Sequence, residues 1–302
     1  MITETAFDGY RDFLRGRDGA PNLDRHTLAA REALFAALAA SPLRSRAPID
    51  GAAYRRNLRT RRIEPSLDAR VLWLLATAKS NQAERFGVGL AELYGRVPAP
   101  DADAVRVHLH LQEFYHTRIL ADVVALFDLP VHPAPPPFLT RMMINLMVLA
   151  PPHWVLPLVG FGEMVGCVLF HALRDRGVAL FAAEPVIAER VRLLYDEILA
   201  DEVSHVGYVT AQLGAAGRRL MVWLYRHFGV RLAMQMPELV ALFGATSLAR
   251  HFENFSLDVL AADLGGKAFG VRQLAAALGG GAGRDWTAQP AATHVASPDD
   301  SR

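Results

Sequence analysis

Five prolines, Pro130, Pro133, Pro135, Pro136 and Pro137, stand within residues 129–138, and no helix interior can pass through them. The segments on either side read as helix. From Ser66 the apolar residues Leu67, Val71, Leu74, Leu75 and Ala78 recur at helical spacing, with Gln82 on the same stripe. That helix is expected to end near Gly95, ahead of Pro98. A second begins at Asp101 or Asp103, either of which can cap it, and runs through Val105, Leu109, Phe114 and Leu120 to about Asp128. The proline segment reads as an extended crossover. Beyond it a third helix lies within 154–174, and a fourth runs from Pro185 to Gly214 or Gly217. No stretch alternates in the way a strand does, so the expected class is all-α.

The chain divides by pattern into four parts: an irregular helical arm over 1–65, the bundle helices over 66–217, further helices over 218–278 and a disordered tail over 279–302. Within 218–278 two helices are expected on either side of Pro237, and a short last one over 267–278. The 302 residues are 52% hydrophobic, enough for a sizeable core and too apolar for a disordered chain. The net charge of +1 offers no broad basic face for nucleic acid. Lys79 and Lys267 are the two lysines, so arginine supplies nearly all the positive charge, densely over 44–62. That stretch reads as a solvated connection; its alternative is a docking surface for an acidic partner such as a reductase, ferredoxin or carrier protein. A lone cysteine, Cys167, excludes an internal disulfide and a thiolate metal cluster. Acidic residues stand where a secretory leader would be basic, so a cytoplasmic location is expected. The apolar stretch 142–173 holds Pro151, Pro152, His153, Pro157 and Glu163, which favours a buried, broken helix over a membrane span.

Two Glu-x-x-His tetrapeptides stand on two different helices, Glu113 with His116 and Glu202 with His205. Three residues along a helix are ~60° apart in projection and ~4.5 Å in rise, so each pair can serve one metal centre. One such tetrapeptide is a common accident. Here Glu84 lies 29 residues before Glu113, and Glu163 lies 39 residues before Glu202, about the span of a helical hairpin. Glu92 on the first helix is the rival of Glu84. The order Glu, Glu-x-x-His, crossover, Glu, Glu-x-x-His is that of four-helix bundles holding a pair of iron or manganese ions. Glu163 stands in VGFGEMVGCVLF, an apolar setting foreign to a surface glutamate. Gly160, Gly162 and Gly166 around it either leave room for a pocket or allow close helix packing.

Over residues 66 to about 214 the sequence resembles the ferritin-like di-iron carboxylate superfamily, which includes bacterial multicomponent monooxygenase hydroxylases, ribonucleotide reductase small subunits, acyl-carrier desaturases and arylamine N-oxygenases. The resemblance implies a ferritin-like four-helix bundle with a long crossover between its second and third helices, flanked by additional N- and C-terminal helices. It implies metal ligands at Glu84, Glu113, His116, Glu163, Glu202 and His205, and two bound irons or a mixed manganese–iron pair. Asp201, just before Glu202, would orient His116. The matching place before Glu113 holds Gln112 where an Asp would complete the pattern, and this leaves the partner of His205 open.

Leu120 stands where radical-storing reductase subunits carry tyrosine, and Ile198 where arylamine N-oxygenases carry an additional histidine. His108, His110, His251 and Glu253 are candidates for a further ligand and read as surface or internally satisfied residues. The implied activity is a di-iron oxygenase that activates O2 and hydroxylates or otherwise oxidises a small, largely apolar substrate. The alternatives are an amine N-oxygenase and a non-catalytic ferritin-like iron-binding protein. No nucleotide fingerprint is present, so electrons would come from an external donor. Dimerisation is common in the superfamily, which makes a homodimer the natural assembly to test.

Overall fold

Ser66 lies in the left-handed region at φ 62°, and Asp68 then caps the first long helix by accepting a hydrogen bond from the Arg70 amide at 2.8 Å. The computed structural model describes residues 7–94, 98, 104–131 and 135–269. Four long helices carry the site: α4 (Ala69–Leu93), α5 (Ala104–Ala125), α7 (Pro152–Leu180) and α8 (Pro185–Gln212). An arm precedes them, made of α1 (Asp8–Asp18), α2 (Ala29–Ala40) and α3 (Gly51–Leu58). The helix α6 (Phe138–Leu149) lies in the connection between α5 and α7. After the long helices come α9 (Ala215–Ala233), α10 (Pro237–Phe243), α11 (Ala245–Asn254), α12 (Leu257–Asp263) and a short 3-10 turn at Gly265–Lys267.

Packing neighbours run α4 to α5, α5 to α8, α8 to α7 and α7 back to α4. In that cyclic order α5 and α7 stand diagonally, so a tight turn cannot join them and the chain needs a long connection. Pro185 begins α8 where its missing N–H costs nothing. The centre of the set is closed by Trp73, whose indole donates to the Leu173 carbonyl at 2.7 Å. Gly177 makes that approach feasible, because a Cβ there would stand 2.4 Å from the Trp73 ring. Thr77 and Asn81 are fully buried rather than solvated, Thr77 sharing a 2.8 Å hydrogen bond with the Tyr195 hydroxyl.

Several expectations are revised. The arm contains one two-residue antiparallel pair, β1 (Pro21–Asn22) with β2 (Thr27–Leu28), where no strand was expected. The crossover is extended only in part, since helix resumes at Phe138 as soon as the prolines end. The break in the apolar stretch falls between α6 and α7, while Pro157 is accommodated inside α7. Phe138, Met142 and Leu146 on α6 are exposed, so that part of the stretch is not buried as expected. By length and composition α7 is apolar enough to cross a membrane: within Trp154–Leu180 an 18-residue window has a mean hydropathy of 1.7, and half of that window is buried inside the molecule. Over the described residues 215–265 there are four α-helices where two were expected, because Gly244 at φ 77° and the Ser256 cap divide the second expected helix. The first long helix ends at Leu93, close to the expected Gly95, while the caps proposed at Asp101 and Asp103, most of the helix over 267–278 and the tail lie outside the described residues.

Candidate metal centre

The site forms where the inward faces of α4, α5, α7 and α8 meet. Donor atoms of Glu84, Glu113 and His116 lie within 4.8 Å of one another, and so do those of Glu113, Glu163 and His205. Glu113 belongs to both groups, which is the placement of a carboxylate shared by two ions. Glu202 closes the set from the opposite side, its Oε1 at 3.6 Å from His116 Nδ1. Gly166 makes room for that carboxylate, since a Cβ there would come within 2.8 Å of Glu202 Oε2. Glu92 is elsewhere on α4, its Oε1 at 3.7 Å from His26 Nδ1.

Both histidines turn Nδ1 towards the carboxylates and Nε2 outward. His116 Nε2 meets Asp201 Oδ2 at 3.2 Å. His205 Nε2 meets Gln112 Oε1 at 2.8 Å, so the residue that broke the expected pattern is itself the missing partner. The reason lies one bond further out, where Gln112 Nε2 donates to Asp18 Oδ2 at 2.7 Å. A carboxylate at 112 would face the Asp18 carboxylate; an amide can accept from His205 and donate to Asp18 at once. Arg31 joins the two outer acids, reaching Asp201 at 2.7 Å and Asp18 at 3.1 Å. Arg17 pairs with the same two residues. Sequence reasoning found Asp201 and missed Arg17, Asp18 and Arg31, which carry no motif and enter from α1 and α2.

Glu113 and Glu163 retain side-chain exposures of 29% and 20%, and both line a cavity that opens to the surface, so this exposure is to the cavity. Burial, together with Glu113 and Glu163, holds Glu84 well above the ordinary 4.5. Burial and Glu163 do the same for Glu202. Burial opposes ionisation of Glu113 as well, but His116 and His205 outweigh it and bring that group down to about 2. For His205 burial favours the neutral ring, and hydrogen bonds to Glu113 and Glu163 prevail, raising it to about 10. Asp201 stays well below the usual carboxylate range because Arg17 and Arg31 overcome its burial.

The donor set fits a pair of divalent ions. His116 Nδ1 and Glu202 Oε2 are buried without a hydrogen-bond partner, an arrangement costly unless a cation completes it. Four carboxylates and two imidazoles balance four positive charges while oxygen and nitrogen donors suit iron or manganese.

The remaining candidates separate cleanly. His108 is fully buried and its Nε2 meets the Gly19 carbonyl at 3.2 Å. His251 lies edge-on to Phe243, away from the cluster. His110 lines the cavity, and its Nε2 is buried without a partner, so the expectation of a satisfied residue does not hold there. Leu120 and Ile198 are core residues, and buried Cys167 fills apolar space. Gly160 serves helix packing, a Cβ there meeting Met221 Sδ at 2.5 Å, whereas Gly162 and Gly166 line the cavity.

That cavity has a volume of about 530 Å³ and reaches Glu84, Glu113, Glu163 and Glu202. Its walls are mainly apolar, with Ile144 and Met147 of α6 facing Val165 and Leu169 of α7. Comparisons with protein-family models, with curated proteins and with solved structures find no match to this chain.

Proposed function

We propose that the chain is a ferritin-like di-iron oxygenase that oxidises, foremost by hydroxylation, a small and largely apolar molecule. The observation that carries this reading is the junction of two features: a carboxylate shared between two ligand groups, and an apolar cavity ending on the four glutamates. Glu84, Glu113 and His116 would hold one ion, Glu113, Glu163 and His205 the other, with Glu202 beside both. When bound, such a pair supplies two-electron reduction of dioxygen.

The chain's own residues do the rest. Asp201 and Gln112 fix both imidazole rings with Nδ1 inward. The apolar walls from α6 and α7 exclude water from the face where a substrate carbon would lie. Glu84, Glu202 and His205 hold protons in the metal-free cluster and give them up as cations enter. The cavity favours an enzyme over iron storage, because storage requires no apolar chamber of this size beside the ligands.

The test is iron content per chain, with the optical spectrum after anaerobic reduction and exposure to oxygen. Wild type is expected to hold about two irons. Glu113→Ala is expected to lose both and Glu202→Ala at least one. Iron binding by both variants equal to that of wild type would overturn the assignment.

A further inference from the structure

The arginine-dense stretch over 44–62 splits into two groups on folding. Arg44 pairs with Asp128 at 3.1 Å and Arg56 with Glu64 at 2.9 Å. Arg59 and Arg61 instead follow the end of α3, are exposed, and line the cavity that leads to the glutamates. Between them the Thr60 carbonyl accepts a 2.9 Å hydrogen bond from Lys79 Nζ, and Lys79 is held in turn by buried Glu238 at 3.1 Å. The loop is therefore anchored, and the charge of Lys79 is already matched by its own carboxylate. Arg141, in the first turn of α6, lines the same cavity with its Nε buried and lacking a hydrogen-bond partner.

Three guanidinium groups without a carboxylate partner among the described residues thus border a chamber whose inner end holds four glutamates. We infer that the cavity takes an apolar molecule bearing one carboxylate, with Arg59, Arg61 and Arg141 binding the anion. Guanidinium matches carboxylate geometry in a way a lone ammonium does not. The placement also sets the orientation: the exposed arginines hold the anionic end, so the apolar end points inward among Ile144, Met147, Val165 and Leu169. Arg141 favours a small molecule over an acidic protein surface, because it is half-buried in the lining of the cavity. The assignment deepens the reading of this cavity as the substrate site, yet it requires no metal for binding.

The probes are octanoate and 1-octanol, titrated by calorimetry into metal-free and iron-loaded protein. Octanoate is expected to bind about tenfold to hundredfold more tightly than 1-octanol in both forms. The double variant Arg59→Ala/Arg61→Ala should sharply reduce this preference, Arg141 keeping the remainder, while leaving 1-octanol affinity unchanged, which also reports an intact cavity. Arg141→Met should reduce the preference on its own. Equal affinity for acid and alcohol, failure of both to bind, or wild-type octanoate affinity in the double variant would overturn the inference. In the last case the two exposed arginines would be free to meet an acidic protein. Iron content measured on the same samples reports the metal centre separately, so a chain without iron that still prefers octanoate would refute the oxygenase and leave the anion site standing.

Discussion

His116 and His205 face the same carboxylates with Nδ1, and they differ in what stands behind them. Behind His116 is Asp201, a buried carboxylate held by Arg17 and Arg31; behind His205 is the neutral amide of Gln112. The partner of one ring carries a negative charge and the partner of the other does not, so the two rings are oriented by groups of different charge. The two candidate metal positions are therefore unequal, and the arm outside the four long helices supplies the charged groups that hold Asp201 and Gln112 in place.

The largest effect to expect concerns both halves together. Glu84 and Glu202 have folded values above the ordinary 4.5, so their contribution to stability is complete below 4.5 and is lost as pH rises through the folded values. The contribution of His205 is complete below its ordinary 6.5 and is lost as pH rises through about 10. All three have the same sign. The melting temperature of metal-free protein should fall as pH is raised from about 5 to about 9, and adding divalent metal should release about two to three protons per chain near pH 6. A pH indicator in weak buffer counts them; binding without proton release would contradict the coupling.

Next in size is Arg31→Ala, which leaves Asp18 and Asp201 short of a cation in a buried setting. A loss of roughly 3–5 kcal/mol in denaturant unfolding of metal-free protein is expected. A loss below about 1 kcal/mol would mean that Arg17 alone balances both acids. The comparison itself is tested by Asp201→Asn and Gln112→Ala. Metal affinity should fall in both within a range of about tenfold to hundredfold, with Asp201→Asn at the upper end. Equal losses would show that the two positions are equivalent after all.

The smallest and most specific effect is that of Gln112→Glu, which on paper makes the halves alike. It should instead cost roughly 1–3 kcal/mol at neutral pH, because the new carboxylate meets Asp18 in place of a donated hydrogen bond. Its folded pKa is raised by that neighbour, so the deficit should shrink as pH falls and the group regains a proton to donate. A variant as stable as wild type at pH 7 would remove the stated reason for an amide at this place.

Much of this was legible in residue spacing. The two Glu-x-x-His pairs announce themselves because helical geometry gives each a local signature, Glu84 and Glu163 follow from their spacing to those pairs, and the proline-rich link marks the long connection between α5 and α7. α6 was not legible, since the helix begins at the residue after the last proline and is apolar on both faces, leaving no amphipathic stripe to read. The order of acids along the chain favours Glu84 over its rival Glu92, and the fold places Glu92 against His26 instead. Arg17 and Arg31 were invisible for a more basic reason: their partner Asp201 lies 184 and 170 residues away, and no periodicity spans such a distance. Arg59 and Arg61 looked like members of a solvated run until the loop carrying them was seen pinned at Thr60.

The link between Arg31 and Asp201 also bears on how the chain is made. At ribosomal speeds, the 170 residues between them take roughly ten to thirty seconds to synthesise. For that interval Arg17, Asp18 and Arg31 exist without the acid that completes their cluster, so α1 and α2, which can already meet α5, are fully fastened only once α8 has emerged. The part of this chain that is translated early is thus among the last to be fastened, and a nascent chain stalled before Asp201 would display its arm to chaperones and proteases.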